Sequence, residues 1–287
     1  MRFAYLILAH DAFEQLARLA VRLLEGGAQD EVFIHVDAKS TLPRGWRAGL
    51  PDGVRGRVHL VAKRTVVHWG HRSQCAAMLT LIDAGLAGGF DYLHLLSGRD
   101  WPLVARARIA GDIMAAGKRD VFIKIEDTDF AWRMDNFCFE DRSLHPGRPA
   151  LPLLWRWNAN VRRLSRAAND RYRRCGLSRS QPLGPWAKGS QWWSLPRDAA
   201  LHARDALRTL ATSGRLRWTQ CSDEHVVQTA LVNSAFGERI AGHRRFILWP
   251  EGSWSPRVLT RDDVVGRADG WFGRKFDADV DDFFYAM

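Results

Sequence analysis

The sequence predicts an α/β protein: a mostly parallel sheet flanked by helices, continuing into a second half of different texture. Three observations predict it. Strand-like and helix-like segments alternate over the first hundred or so residues. The strand-like ones are unbroken apolar runs, the mark of strands covered on both faces. Each run stops at a polar turn, as β-to-α connections do.

The elements follow in order. Phe3 to Ala9 reads as the first strand. Asp11 caps the next helix, with Glu14 completing a capping-box-like pattern, and Leu16, Leu19, Ala20, Leu23 and Leu24 repeat at helical spacing up to Gly26-Gly27. Val32 to Val36 is a second buried strand ending at Asp37, and Val58 to Val61 a shorter third. Ser73 starts a helix that runs through Ala87 and closes at Gly88-Gly89. Tyr92 to Leu96 is the fourth strand, ending in Ser97-Gly98-Arg99-Asp100. Parallel sheets bind ligands beyond the carboxyl ends of their strands. Those ends carry His10-Asp11, Asp37 and Ser97 to Asp100.

The texture then changes. Val121 to Ile125 reads as a strand, Asp127 to Pro152 as loop, and Arg156 to Arg179 holds eight arginines behind Trp155 and Trp157. That stretch is either a solvated helical face or a basic surface for an anionic glycan, a lipid headgroup or nucleic acid. A short strand follows around Trp192-Trp193-Ser194-Leu195. A helix then runs from Pro196, a residue the first helical turn tolerates, to about Ala211, and another from Ser222 to about Ser234. The tail reads as polar and loop-rich. No repeat or linker interrupts the 287 residues, so they read as one domain.

Composition bounds the function. An apolar fraction of 46 % with 26 % charged residues excludes a disordered or collagen-like chain. Four scattered cysteines without a C-x-x-C pair argue against a zinc ribbon or disulfide scaffold and fit a reducing compartment. No apolar run approaches the ~20 residues of a membrane helix. The first strand lacks the cleavage site of a signal peptide. The expected location is cytoplasmic. The net charge of +10, dominated by arginine, attracts phosphorylated ligands, nucleic acid or anionic lipid. Peripheral contact with the inner face of a membrane fits that field.

Neither G-x-G-x-x-G nor a P-loop follows the first strand, and no G-x-S-x-G appears, which takes support from dehydrogenase, NTPase and serine-hydrolase readings. His68-Trp-Gly-His71 has metal-pair spacing without a third ligand nearby. Asp127-Thr-Asp129 resembles the D-x-D with which many sugar-nucleotide transferases hold a divalent metal. In Gln220 to Thr229, Ser222 as N-cap places Asp223 and Glu224 in a first helical turn. There they either complement the helix dipole or supply one general base, since neighbouring helical residues diverge by about 100° and only one can face a cleft. In Trp271 to Asp277, Arg274 and Lys275 either stay in water between anchoring aromatics or clamp a diphosphate without a metal.

Taken together, the strings resemble the core-2/I-branching glycosyltransferases, which include β-1,6-N-acetylglucosaminyltransferases and peptide O-xylosyltransferases. Ala4 to His10 and Ile34 to Ser40 resemble the opening strands, Val67 to Gly70 and Leu95 to Leu103 the central block, and Lys188 to Leu195, Ser222 to His225 and Trp271 to Asp277 the later ones. The resemblance implies a GT-A-like fold, with a nucleotide-binding half over 1–125 and an acceptor-binding and catalytic half over 126–287. It implies an inverting transferase that takes N-acetylglucosamine or xylose from a UDP-sugar without a metal or other cofactor. Glu224 is then the catalytic base. Asp37 contacts the uridine, with His10 among the donor contacts, and Lys275, Arg257 and Arg274 face the diphosphate. Ser97, Asp100, Gln191, Trp192, Trp193 and Asp223 are the candidates for contact with donor or acceptor sugar. Trp192 and Trp193 are equally readable as core, and Asp100 as a turn stabiliser. The expected acceptor is a glycan, a lipid-linked precursor or a peptide hydroxyl, with no nucleic acid. The alternatives are a metal-dependent transferase using Asp127-Thr-Asp129 and, outside enzymes, a nucleic-acid binder using the arginine-rich stretch.

Overall fold

The computed structural model describes residues 1–139, 152–253, 255–266 and 269–287, with residues 152–159 described by their backbone alone. The order is β1 Phe3–Ala9, α1 Phe13–Leu23, β2 Glu31–Val36, α2 Asp52–Arg55, β3 Val58–Leu60, α3 Ser73–Ala87, β4 Tyr92–Ser97, β5 Asp100–Pro102 and α4 Arg106–Ala115. Then come β6 Phe122–Glu126, α5 Trp132–Asp135, α6 Pro152–Arg174, β7 Lys188–Pro196, α7 Arg197–Thr212, α8 Val226–Val232, β8 Arg245–Ile247, α9 Arg261–Val264 and β9 Phe272–Arg274. Six strands form the central sheet in the order β3-β2-β1-β4-β7-β6. The first four are mutually parallel, and β7 runs antiparallel between β4 and β6. This is the mostly parallel, helix-flanked sheet of a GT-A-like fold.

Strand β1 is central because its apolar run can be buried on both faces. Phe3, Tyr5 and Ile7 face one apolar cluster with α1, and Ala4 and Leu6 face another with α3. Both clusters draw side chains from before and after residue 125. Helix α3 approaches so closely that a Cβ on Gly85 would fall 2.9 Å from Leu6. Strands β2 and β3 lie on one side of β1 and β4 on the other. The strand order therefore reverses between β1 and β4, where open α/β sheets hold their ligands.

Several local expectations are corrected. Asp11 does not cap α1: its first turn is entered through Ala12 in the left-handed region, with no side-chain cap, and Asp11 pairs with Arg99 instead. Pro196 ends β7 and directly precedes α7. The segment read as loop contains α5, and 140–151 lie outside the described residues. Ser222 caps no regular helix. Ser222–Glu224 form a 3-10 turn, and α8 starts at Val226. The tail contributes strands: β9 pairs antiparallel with β5 and parallel with β8 in a second, three-stranded sheet. Among the described residues no helix is long and apolar enough to cross a membrane.

Candidate active site

The carboxyl edge of the central sheet gathers most of the candidates. At the end of β2, Asp37 is buried, and its Oδ1 accepts the backbone N–H of Lys39 at 2.9 Å and of Val67 at 3.3 Å. At the end of β1, His10 is exposed beside Asp11, Nε2 to Oδ2 3.4 Å. Its carbonyl accepts the Ser40 hydroxyl at 2.6 Å. Asp11 takes a two-point contact from Arg99, and Arg99 reaches Asp277 as well, at 2.7 Å. Burial works against the Asp11 carboxylate, but Arg99, His10 and Lys275 together hold its pKa below the ordinary value. Lys275 therefore stands near the end of β1. It has no ion-pair partner among the described residues.

The turn after β4 is engaged in holding itself. Ser97 Oγ accepts the Arg99 N–H at 3.0 Å. Asp100, 1 % exposed, accepts the Ser97 N–H at 3.0 Å on one oxygen and Arg274 at 2.7 Å on the other. This corrects the sugar-contact expectation for Asp100, which is buried with both oxygens engaged; the Ser97 hydroxyl accepts one bond and keeps its own proton to donate. Arg274 also lies over the Trp192 ring at 4.2 Å. Its charge is balanced by Asp100, so it ties β9 and β5 to β7 instead of standing free for a diphosphate. Arg257 is ion-paired with Asp263 and half exposed. It lies beside Lys275 through the backbone, where the Lys275 N–H donates to the Arg257 carbonyl at 3.5 Å. Trp193 is 0 % exposed inside the second apolar cluster, so it has no face for a sugar; that expectation is corrected too. Trp192 keeps an edge at the surface.

Glu224 sits where three elements converge. The Gln220 N–H bonds the Arg133 carbonyl at 2.9 Å, the Cys221 N–H bonds the Gly70 carbonyl at 2.8 Å, and Ser222 Oγ meets Cys75 Sγ of α3 at 3.3 Å. The turn is thus pinned to α5, to the loop before α3 and to α3 itself. Arg133 donates to Glu224 Oε2 at 3.0 Å, and Lys188 lies 3.9 Å from the same oxygen. Both cations flank the Phe130 ring, at 4.6 and 4.9 Å. Lys188 is further paired with Glu126 at the end of β6. Gly189 makes this placement feasible: the β6–β7 register is irregular here, and a Cβ on Gly189 would fall 1.7 Å from the Lys124 carbonyl oxygen.

Electrostatics separate the two adjacent carboxylates. Burial raises the Glu224 pKa, and Lys188 and Arg133 pull it part of the way back. Asp223 is 4 % exposed, and burial, reinforced by the charge of Glu224, pushes it up to about 8. Asp223 Oδ1 and Gln191 Nε2 are buried without a hydrogen-bond partner. They are an acceptor and a donor left over from folding.

Sequence reasoning missed Arg133, Lys188 and Glu126 around Glu224, and the Asp11–Arg99–Asp277 network. Arg133 was hidden in a segment read as loop, whereas Lys188 and Asp277 stood inside the quoted motifs without a role. The D-x-D pair is exposed, and Asp129 Oδ1 accepts the Ala131 N–H at 3.1 Å. His71 Nδ1 meets Ser73 Oγ at 3.0 Å in the entry to α3. Among the described residues no three His, Cys, Asp or Glu side chains cluster as metal ligands do. In the basic stretch, Arg179 is clamped on the carbonyls of Met134, Asn136, Arg215 and Arg217, whereas the side chains of Trp155, Arg156 and Trp157 lie outside the description.

A mostly parallel sheet whose order reverses between β1 and β4, with a half-buried carboxylate at its carboxyl edge, is the layout in which open α/β proteins hold their ligands. The chain belongs to the Core-2/I-Branching enzyme family, whose model matches residues 3–267. It is therefore a glycosyltransferase, acting with a nucleotide-sugar donor and an acceptor. The match ends before Arg274 and Lys275. No curated relative matches the chain significantly.

Proposed function

We propose that the protein is an inverting, metal-independent transferase that moves N-acetylglucosamine or xylose from a UDP-sugar to an acceptor hydroxyl. One observation carries this reading most. Glu224 is held by both cations through Oε2, while no donor among the described residues reaches Oε1. One oxygen is fixed and the other is open, as a general base requires.

The acceptor O–H gives its proton to Oε1 as its oxygen bonds the anomeric carbon, and the bond from that carbon to the phosphate oxygen breaks on the opposite face. The configuration inverts. UDP departs carrying the new negative charge, which Lys275 and, once its pair with Asp263 opens, Arg257 offset. Arg274 contributes indirectly, because its buried pair with Asp100 fixes the strand that leads into Lys275. Asp37 and His10 belong to the uridine end of the donor site. Gln191 Nε2 and Asp223 Oδ1 supply the donor and acceptor that sugar hydroxyls satisfy, and Trp192 offers an edge to the sugar. Arg162, Arg163, Arg166, Arg171, Arg173 and Arg174 of α6 are all exposed. They favour docking of this enzyme on an anionic membrane face from the cytoplasmic side.

A panel of UDP-sugars tests the reading, with UDP release followed with and without EDTA and the product configuration read by NMR. N-acetylglucosamine or xylose donors should be turned over with inversion and without loss in EDTA. Lys275→Ala should weaken UDP by about tenfold, the scale of one charge-assisted contact, and uridine hardly at all. Turnover abolished by EDTA, or equal losses for UDP and uridine, would overturn the metal-free clamp.

A further inference from the structure

At the amino edge of the central sheet, a cleft of about 660 Å³ opens between the start of β4, the end of β7 and the turn that joins α4 to β6. β7 spans nine residues, so Pro196 in the cleft and Lys188 beside Glu224 stand roughly 27 Å apart. The mechanism makes no use of this cleft. Lys118, Arg119, Arg197 and Arg239 line it, against the carboxylates of Asp91 and Asp198. Both carboxylates are taken: Asp198 pairs with Arg239 at 2.9 Å, and Asp91 Oδ2 accepts the Arg2 N–H at 2.7 Å. Lys118, Arg119 and Arg197 have no ion-pair partner among the described residues. Arg197 donates through Nη2 to the Leu86 carbonyl at 2.9 Å, while its Nη1 is buried without a hydrogen-bond partner. Lys118 has a left-handed backbone, φ 60°, at a turn position that glycine would occupy without strain, and its N–H bonds the Ile113 carbonyl at 2.9 Å.

The chemistry of the ligand follows from that lining. Unpaired cations around a concave surface call for an anion. A carboxylate matches one guanidinium fork, whereas a phosphate spreads nearly two charges over three oxygens and can meet several cations together. The rest of the lining is apolar, in Phe90, Tyr92, Pro196 and Leu201, and the Tyr92 hydroxyl is already given to the Asp120 carbonyl at 2.9 Å. The volume is that of a small-molecule site. We propose that this cleft is a second binding site, separate from the donor site, for a soluble molecule that carries a phosphate on an apolar body. Lys118, Arg119 and Arg197 hold the phosphate, and the body lies against Pro196 and Leu201.

Calorimetric titration with phenyl phosphate and with inorganic phosphate tests it, with UDP at saturation so that the donor site is filled. Phenyl phosphate should bind beside UDP, about tenfold tighter than inorganic phosphate, because its ring buries apolar surface. The double variant Lys118→Gln with Arg119→Gln should weaken it by about tenfold or more, the scale of lost charge-assisted contacts, with its thermal midpoint in place. A nuclear Overhauser contact from the phenyl protons to the Leu201 methyl groups locates the ligand even if the double variant does not fold. No binding beside UDP, equal binding by the double variant, or equal affinity for the two phosphates would overturn the proposal. Vesicles of equimolar phosphatidylcholine and phosphatidylglycerol distinguish a lipid headgroup from a soluble ligand. The double variant should bind them as the parent protein does. If it loses them while phenyl phosphate fails to bind the parent, the cations serve a membrane surface and the proposed site is wrong.

Discussion

Two arginine–carboxylate pairs stand at opposite edges of the central sheet, and they use their carboxylates differently. At the amino edge, Asp30 is 0 % exposed. Its Oδ1 accepts the Phe3 N–H at 2.9 Å and Arg106 at 3.1 Å, and its Oδ2 accepts Arg106 at 2.8 Å. At the carboxyl edge, Glu224 is 30 % exposed and held through one oxygen. The first carboxylate has no unused oxygen and serves the fold, tying β1 and the start of β2 to α4. The second keeps an oxygen in reserve. Similar ion-pair distances thus conceal opposite purposes, and the number of satisfied oxygens tells them apart.

The comparison breaks if Asp30 proves dispensable. Asp30→Ala leaves the Arg106 charge and the Phe3 N–H without their partner, so stability should fall by about 3–5 kcal/mol, read as a lower urea midpoint. The activity of the remaining folded fraction should be that of the wild type. A loss under ~1 kcal/mol would mean that the closed pair contributes no more than a surface bridge.

The next largest effect belongs to the open pair. Glu224→Gln keeps the shape and one hydrogen-bonding oxygen but removes the base. Transfer should fall at least ~10²-fold, equivalent to about 2.7 kcal/mol of barrier, while UDP binding persists. Stability should change far less than in Asp30→Ala, because burial already disfavours the charged form of Glu224. Near-normal transfer measured as UDP release with acceptor present would remove the base assignment.

How much of this was legible in the sequence follows the same division. The first four strands could be read because burial on both faces writes a continuous apolar run, as in Phe3 to Ala9. The adjacent acids Asp223 and Glu224 could be read as a dipole complement or as a base, and the family resemblance alone singled out Glu224. The partners of Glu224 could not be read. Arg133, Lys188 and Glu126 are brought together by β6–β7 pairing and by a hydrogen bond between residues 133 and 220, contacts that no local pattern encodes. β5, β8 and β9 escaped notice because none of them carries the apolar run by which the equally short β3 could be read. Trp193 and Trp192 are adjacent and identical in type and belong to one apolar cluster, yet only Trp192 keeps a sliver of surface and an arginine, Arg274, over its ring. Alternation predicts that they diverge but not which one turns outward. Arg274 and Lys275 differ in the same way: register places Arg274 opposite Asp100, and only the structure shows that its charge is taken.

The smallest effect tests how the open carboxylate is tuned. A general base acts deprotonated, so the acid limb of kcat/KM should track the Glu224 pKa, which burial raises above the ordinary range. Lys188 and Arg133 oppose that rise by favouring the charged form. Arg133→Gln removes one opposing cation, so the pKa should climb further. The acid limb should move to higher pH, and activity at alkaline pH should recover toward that of the parent enzyme. Lys188→Gln should move the limb in the same direction, since its charge acts on Glu224 through space as well. A loss of turnover uniform across pH would instead assign Arg133 to holding the geometry of the turn. A limb that shifts to lower pH would contradict the sign of the ion pair and transfer the titration to a neighbour such as Asp223.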